Sequence, residues 1–387
     1  MESRIRHGGH EEQGVQRVSK ARPVCRWRGI GLRAIALLLV VNFAVTGCGR
    51  TGPQLMRSQR ALYNHAVQQT GQEQLLLNIA RLRYRENPLF LEIASVSSSF
   101  EIETEGNAGA TIPEQGIEVF TLGAGGRFME VPTVTYTPLL GQRFAKQLLT
   151  PVDLSTLVLL YHSGWSVERL LRLAAQQIGR VANAPSASGP TPETTPAYRD
   201  FQELVGSLRA LQRDRRVEAL VHEDGDRELL LRISPTAVDS PEWQRILQLL
   251  ELPSDARRIE LTSNPEESDP DDVRIVTRSL AGVLFYVSQG VRVPEEDEQA
   301  GRVTVTRTDT GERFDWKLVT GDLFTAEWSQ KEPKEHPLRA RYRGQWFFVD
   351  DSDLSSKSTF SLLLLWFQLQ SNDITSGVPV LTLPVAR

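Results

Sequence analysis

Residues 34–45 read AIALLLVVNFAV, twelve residues that are apolar except for Asn42. As a helix such a run rises about 18 Å, whereas a spanning helix needs about 20 apolar residues to cross about 30 Å of hydrocarbon. The run is therefore too short to cross a bilayer, and it has the length of a signal-peptide apolar region. Lys20, Arg22, Arg26, Arg28 and Arg33 stand before it as a cationic flank that stays on the cytoplasmic side.

Val45-Thr46-Gly47-Cys48 follows at once. It resembles the bacterial lipobox: an aliphatic residue, a small residue, Gly or Ala, then Cys. The resemblance implies that the Cys48 sulfur receives a diacylglyceryl group. Cleavage then falls between Gly47 and Cys48, and the new amine is acylated. One acyl chain anchors a protein marginally, whereas two or three anchor it stably. Gly49 stands where an Asp favours retention in the inner membrane, so by analogy the expected location is the outer membrane, with the body facing the periplasm.

The signal also hides the charge of the body. The chain of 387 residues has 44 Lys and Arg against 48 Asp and Glu, a formal charge of -4. Removing residues 1–47 takes away eight basic and three acidic residues, leaving 36 basic, 45 acidic and a charge of -9. Such a body is not a basic nucleic-acid binder, and acidic lipid surfaces repel it except at a local basic face. Of the two cysteines, Cys25 leaves with the signal and Cys48 carries the lipid. A disulfide scaffold, a cysteine zinc site and thiol catalysis are thereby excluded.

After a tether at Arg50 to Gln54, the pattern predicts helices over Ser58 to Thr70 and Gln72 to Tyr84, with Leu75, Ile79 and Leu82 forming one apolar stripe. Strands are expected over Leu89 to Glu105, Ile117 to Leu122 and Phe128 to Tyr136, the last two around Gly123, Gly125 and Gly126. Short helices follow over Gly141 to Leu149, Leu154 to Ser163 and Val167 to Ile178, the last capped by Ser166. Residues 182–197 hold four prolines among Ser, Thr, Ala and Gly, which marks a linker or loop. Beyond it, helices are predicted over Phe201 to Gln212, Pro241 to Leu250, Ser279 to Ser288 and Thr359 to Gln370. Gly290 is placed at the C′ position of the third. Strand pairs are predicted over Val217 to Val221 with Glu228 to Ile233, and Arg339 to Tyr342 with Trp346 to Val349. Arg258 to Thr262, Val273 to Val276 and Val378 to Leu383 complete the set. Helices and mostly antiparallel short strands without a βαβ rhythm predict an α+β fold in two subdomains. The expected divisions are a signal at 1–47, an N-terminal domain at 48–181, a linker at 182–198 and a C-terminal domain at 199–387.

The chemical inventory is sparse. His65, His162, His222 and His336 are scattered, with none at the spacing of a zinc-binding helix. Asp269-Pro270-Asp271-Asp272 and Asp350-Asp351-Ser352-Asp353 lack the spacing of a calcium loop and read as turns, with Asp353 capping the last helix. Leu122-Gly123-Ala124-Gly125-Gly126 has no Lys-Ser/Thr and opens no helix, so it is not a phosphate loop. Ser163-Gly164-Trp165-Ser166 lacks the second glycine of a nucleophile elbow. No cofactor motif and no metal set is present. Arg81, Arg83 and Arg85 alternate, and so do Arg339, Arg341 and Arg343. On a strand the second set shares one face, beside Trp346, which makes these four residues the candidate interaction face.

Three stretches together resemble a family of outer-membrane lipoproteins of Gram-negative bacteria to which no activity is assigned. They are Gln74 to Arg85 running into Pro88-Leu-Phe-Leu91, Arg278 to Gly290, and Tyr342 to Asp351 with Ser356 to Phe360. The resemblance implies location and supplies no catalytic residues. The expected function is that of a non-enzymatic binding or scaffold component of an envelope assembly, held in the membrane by Cys48, with an envelope protein as partner. An envelope hydrolase would instead need a pocket with two carboxylates in opposed environments. A lipid or ligand carrier would need an apolar cavity.

Overall fold

The stripe of Leu75, Ile79 and Leu82 is buried along α1, a helix over residues 61–83 of the computed structural model. The structure describes residues 61–111, 119–190, 192–221, 228–263, 272–371 and 381–384. The expected signal, Gly47 and Cys48, His222, the Asp224-Gly225 turn and Asp269 to Asp271 lie outside the described residues. α1 passes through Gly71 instead of splitting there. One helical glycine costs about 1 kcal/mol, less than the burial of the C-terminal half returns.

Past α1 the chain reverses into β1 (Phe90–Thr111) and β2 (Val119–Leu139), an antiparallel hairpin. Two carboxamides on α1 fix its start. Asn78 donates to the Leu89 carbonyl at 2.7 Å and accepts from the Leu89 amide at 3.0 Å. Gln74, one turn earlier, does the same to Leu91 at 3.0 and 2.7 Å. Each side chain thus imitates a strand neighbour. Phe90 is buried against Phe144 and Phe367, with ring centroids 6.0 and 4.5 Å away.

These two strands are far longer than expected, 22 and 21 residues where about 5–6 is usual. The Gly123 to Gly126 cluster lies inside β2 rather than between strands, because each glycine has a partner in β1 to complete its ladder. β12 (Leu381–Pro384) pairs with β2 over Thr133 to Tyr136, giving the order β1-β2-β12.

The rest of the fold is α+β, with interspersed helices and mixed, mainly antiparallel sheets. Its helices begin with α2 (Gln142–Leu149), α3 (Leu154–His162) and α4 (Val167–Ala174), the last capped by Ser166. A six-stranded sheet is ordered β4-β3-β8-β7-β6-β5. It contains β3 (Ala175–Ile178), β4 (Val181–Ala182), β5 (Val217–Val221), β6 (Glu228–Ile233), β7 (Arg258–Thr262) and β8 (Val273–Thr277). Only β7 and β8 run parallel. α5 (Arg199–Arg213) packs between α4 and α6 (Pro241–Leu249). Trp243, Phe201 and Leu208 are buried there. α7 (Leu280–Ser288), α8 (Glu295–Gln299) and α9 (Lys317–Thr320) follow. A third sheet, ordered β10-β11-β9, holds β9 (Glu327–Ser329), β10 (Arg339–Tyr342) and β11 (Gln345–Phe348). α10 (Leu354–Ser371) closes the body, with Leu362, Leu363 and Trp366 buried. Asp353 caps it by accepting from the Ser356 amide at 3.0 Å.

The six-stranded sheet takes strands from both sides of residues 182–198, so it spans the division expected there. That segment is packed: Ala184, Ala187 and Tyr198 are buried. Its small side chains let the backbone approach one cation, Arg278, which is wholly buried. The Arg278 guanidinium donates to the carbonyls of Arg172, Leu173 and Ala175 at 3.1, 3.1 and 2.6 Å, to the Asn183 carbonyl, and to Ser188 Oγ at 2.9 Å. It also lies 4.1 Å over the Tyr286 ring.

Arg278 explains why α4 stops at Ala174 although Ala-Ala-Gln-Gln-Ile continues a helical composition. Helix-end carbonyls need donors. Here Arg278 and the Asn183 amide, which donates to the Arg172 and Ala175 carbonyls at 2.9 and 2.7 Å, supply them from a distance. The chain then turns into β3 against β8. Burial pulls the Arg278 pKa down to about 10, so the group stays charged at neutral pH.

A second buried cation, Arg172, forks onto Asp322 at 2.6 and 2.8 Å and donates to the Val319 carbonyl at 2.7 Å. Hydrogen bonds from Arg172 hold the Asp322 carboxyl below its ordinary range, outweighing burial. A depressed folded pKa gives stability that is present above the unfolded value, near about 3.9, and lost as pH falls through the folded one. Thermal melts from pH 7 to pH 3 should show the loss for the unsubstituted protein. Asp322→Asn should melt lower at pH 7 and show a smaller fall below pH 4. An unchanged acid limb in the variant would remove Asp322 as its source.

Candidate functional site

The basic face expected at Arg339, Arg341, Arg343 and Trp346 is only partly free. β10 ends at Tyr342, and Arg343 sits in the following two-residue turn with Gly344. Both have positive φ, 51° and 83°, the backbone of a type I′ hairpin whose twist matches that of its strands. Arg343 therefore leaves the strand face. It pairs with Glu86 at 2.8 Å and lies 5.0 Å over the Tyr84 ring. Arg339 pairs with Glu332 at 3.1 Å and donates to the His336 carbonyl at 3.0 Å. Arg341 is exposed opposite the half-buried Trp346, and no ion pair reaches it among the described residues. Two of the three cations thus serve the fold.

The other arginine run divides similarly. Arg83 donates to the Thr304 carbonyl at 2.9 Å, and Arg85 to Thr304 Oγ1 at 2.7 Å. Tyr84 between them donates to Asp297 at 2.5 Å. Burial, with help from that hydrogen bond, raises the Tyr84 pKa beyond the ordinary phenol range. The histidines sit apart: His162 Nε2 meets the Ala219 carbonyl at 2.9 Å, and His336 stacks on Phe348 with centroids 4.6 Å apart. Among the described residues no three His, Cys, Asp or Glu side chains could hold one metal ion.

Among the described residues two of the clefts on the body bear on a ligand role. One, of about 320 Å³, is lined by Arg83, Gln289, Arg292, Arg313, Trp316 and Asp315 among others. Arg83 Nε and Gln289 Oε1 are buried there without a hydrogen-bond partner among the described residues. Arg313 and Arg292 are tied outward, to Glu298 at 2.5 Å and Glu327 at 2.9 Å. The other, of about 820 Å³, has Asp200, Glu251 and Asp315 in its wall, with Glu251 paired to Arg180 at 3.2 Å. Both walls are mixed and charged rather than the apolar lining that a lipid carrier needs.

The three-stranded sheet carries the clearest alternation. Beyond an irregularity at Ile93/Ser95, residues of equal parity face each other across the hairpin. On β1, Val96, Phe100, Ile102, Ala108 and Ala110 share one face with Phe120, Leu122, Ala124, Phe128 and Val134 of β2, a face that also holds Ser98, Thr104, Gly106, Gly126 and Pro132. The other face carries Ser97, Ser99, Glu101, Glu103, Glu105 and Asn107, opposite Thr133, Val131, Met129, Arg127, Gly125 and Gly123. β12 keeps the alternation: Leu381 and Leu383 pair with Tyr136 and Val134 on the apolar face. Glu130 is the charged exception on that face. At the foot of the hairpin the same face carries Leu91, paired with Pro138 and 37% exposed.

Arg278, Arg172 and the carboxamides of Gln74 and Asn78 were not singled out from sequence. A lone Arg directly before the apolar stretch Leu280 to Val287 was the available signal, since charges set among core residues are buried only when paired. The long hairpin was visible as alternation over Phe100 to Glu105 and stopped too early there, because the Gly, Ala and Asn that follow carry low strand propensity. No family model, curated protein or solved structure matches this chain.

Proposed function

We propose that this chain is a lipid-anchored component of the bacterial cell envelope, fixed in the outer membrane through Cys48, that binds or scaffolds an assembly rather than catalysing a reaction. The observation that carries the reading is the amphipathic three-stranded sheet. By its register, one face of the hairpin gathers Val96, Phe100, Ile102, Ala108 and Ala110 with Phe120, Leu122, Ala124, Phe128 and Val134, interrupted by Ser98, Thr104, Gly106, Gly126 and Pro132. A mainly apolar sheet face of that length is the kind of surface that contacts a partner or a membrane. Val45-Thr46-Gly47-Cys48 supports the same side of the argument, because it brings the start of α1 to within thirteen residues of an acylated cysteine. α1 in turn holds the foot of the sheet through Gln74 and Asn78. Of the arginine face, Arg341 and Trp346 are left as the contact available to a partner.

Intact mass of the chain purified from envelopes tests the anchor. The expected mature protein begins at Cys48 and carries a diacylglyceryl group with amide-linked acyl. Cys48→Ser should abolish incorporation of a clickable palmitate analogue and leave the precursor uncut. A mature chain without acyl, or a Cys48→Ser variant that is labelled and processed as before, overturns the anchor.

A further inference from the structure

Resting on that membrane-anchored reading, we infer that the hairpin β1–β2 pairs edge to edge with the same hairpin of other copies, closing a β-barrel that crosses the membrane. Backbone hydrogen bonding makes the first part of the case. In the order β1-β2-β12, the outer edge of β1 has no partner strand among the described residues. Among the described residues the outer edge of β2 is paired at Thr133 to Tyr136, and no described strand pairs with residues 119–132 on that edge. Unpaired edges of this length are templates for another strand, and an isolated two-stranded ribbon is marginal in water. The two open edges belong to opposite sides of one hairpin, so β1 of one copy can pair with β2 of the next, and repetition closes a ring.

The sequence along the strands says which solvent the ring stands in. From Phe100 opposite Glu130 to Ala110 opposite Phe120, each strand offers eleven residues, with one face of Phe, Ile, Leu and Ala interrupted by Thr104, Gly106 and Gly126, and the other carrying Glu101, Glu103, Glu105, Asn107 and Arg127. A membrane-spanning β-strand needs about 9–11 residues and alternates in this way, lipid outside and water inside. Aromatic residues bound the band, Phe100 and Phe128 at the end near the body and Phe120 at the far end, as the aromatic girdles of such barrels do. Glu130 falls at the body end, where a charge meets the headgroup region. Within hydrocarbon an open edge cannot persist, since its N–H and C=O groups would lack partners, so insertion and closure come together.

Charge favours copies of this chain as the neighbours. The polar face of β1 carries Glu101, Glu103 and Glu105, and that of β2 carries Arg127, already opposite Glu103 within the hairpin. In a ring the position of Arg127 lies between two β1 strands, its own and the neighbour's, and both strands carry glutamates on that face. The smallest barrels have eight strands, so two strands per copy require about four copies or more.

The test uses the full, processed chain in native envelopes. Labelling of the unsubstituted protein, which reads any free thiol at Cys25 or Cys48, is subtracted, so that the signal compared is that of the introduced cysteine. Ser99→Cys, Asn107→Cys and Thr121→Cys are compared with Ala108→Cys, Leu122→Cys and Ala124→Cys for reaction with a charged maleimide. The first three should react several-fold faster than the last three. The unsubstituted protein, extracted in mild detergent, should have the mass of four or more copies by native mass spectrometry, and this measurement needs no variant. Equal labelling of both sets overturns membrane crossing. A mass of one copy, or a stoichiometric complex with a different protein, overturns closure by copies. Acyl on Cys48 is read on the same sample. An acylated monomer sinks the barrel and leaves the anchor standing, whereas an unacylated multimer with alternating labelling supports the barrel and removes the anchor.

Discussion

Arg278→Leu should be the most damaging single substitution in the body. It removes a buried cation whose guanidinium serves the carbonyls of Arg172, Leu173, Ala175 and Asn183 together with Ser188 Oγ. Leucine fills much of the space and relieves the charge, yet it leaves those acceptors dry and unpaired, at about 1–3 kcal/mol for each that water cannot reach. A loss of about 3–5 kcal/mol is expected, a large share of the ~5–15 kcal/mol that holds most domains folded. The apparent melting temperature followed by circular dichroism should fall by about 10 °C or more. Arg278→Lys should recover only part, because one ammonium cannot reproduce the fork that spans two chain segments. A melting temperature for Arg278→Leu within 2 °C of the parent, about the effect of 1 kcal/mol or less, would show the hub to be dispensable.

Gly290→Ala is expected to destabilise the body for a different reason. The residue follows α7, where a glycine in the left-handed region is the usual helix stop. Its φ is not positive here. What requires glycine is close approach: a Cβ would lie 2.2 Å from the Phe324 carbonyl oxygen and 3.3 Å from Thr320 Oγ1. The neighbour is backbone, held in place because the Gly290 carbonyl accepts from the Ala326 amide at 3.1 Å. Relief needs the two segments to part, at a cost of about 2–4 kcal/mol. Gly206→Ala in α5 should act in the opposite direction, because nothing lies within 4 Å of its added Cβ and helix interiors favour alanine by about 0.5–1 kcal/mol. Chemical denaturation of both variants reads the pair. Equal effects of the same sign would refute the close-approach account of Gly290.

Much of the local structure was legible. β5, β6 and β7 fall on the predicted residues, and α3, α6 and α7 lie within one residue of them. Ser166 and Asp353 cap the helices they precede. These features depend on neighbours a few positions away, which the sequence displays directly. The failures share the opposite property. α4 ends at Ala174, short of the expected Ile178, because its end is set by donors on Arg278 and Asn183, 103 and 8 residues from Ala175. Residues 182–198 looked like a linker by composition, whereas the same small residues permit close packing around a buried guanidinium. Arg343 looked like part of a strand face until the positive φ of the turn took it out.

The apolar run at 34–45 and the four residues after it determined by themselves where this chain is expected to be anchored, because a lipid-attachment signal is read as linear sequence. Period-two alternation at Phe100 to Glu105 likewise announced a strand with two unlike faces. Only the tertiary structure decided how far that strand extends, since the register of β2 carries the ladder through glycines that have no strand preference of their own. Only it decided which arginines are spent on the fold and which remain exposed. A guanidinium is committed by the geometry of its acceptors, and for Arg278, Arg172 and Arg343 those acceptors come from segments that are distant in sequence and adjacent in space.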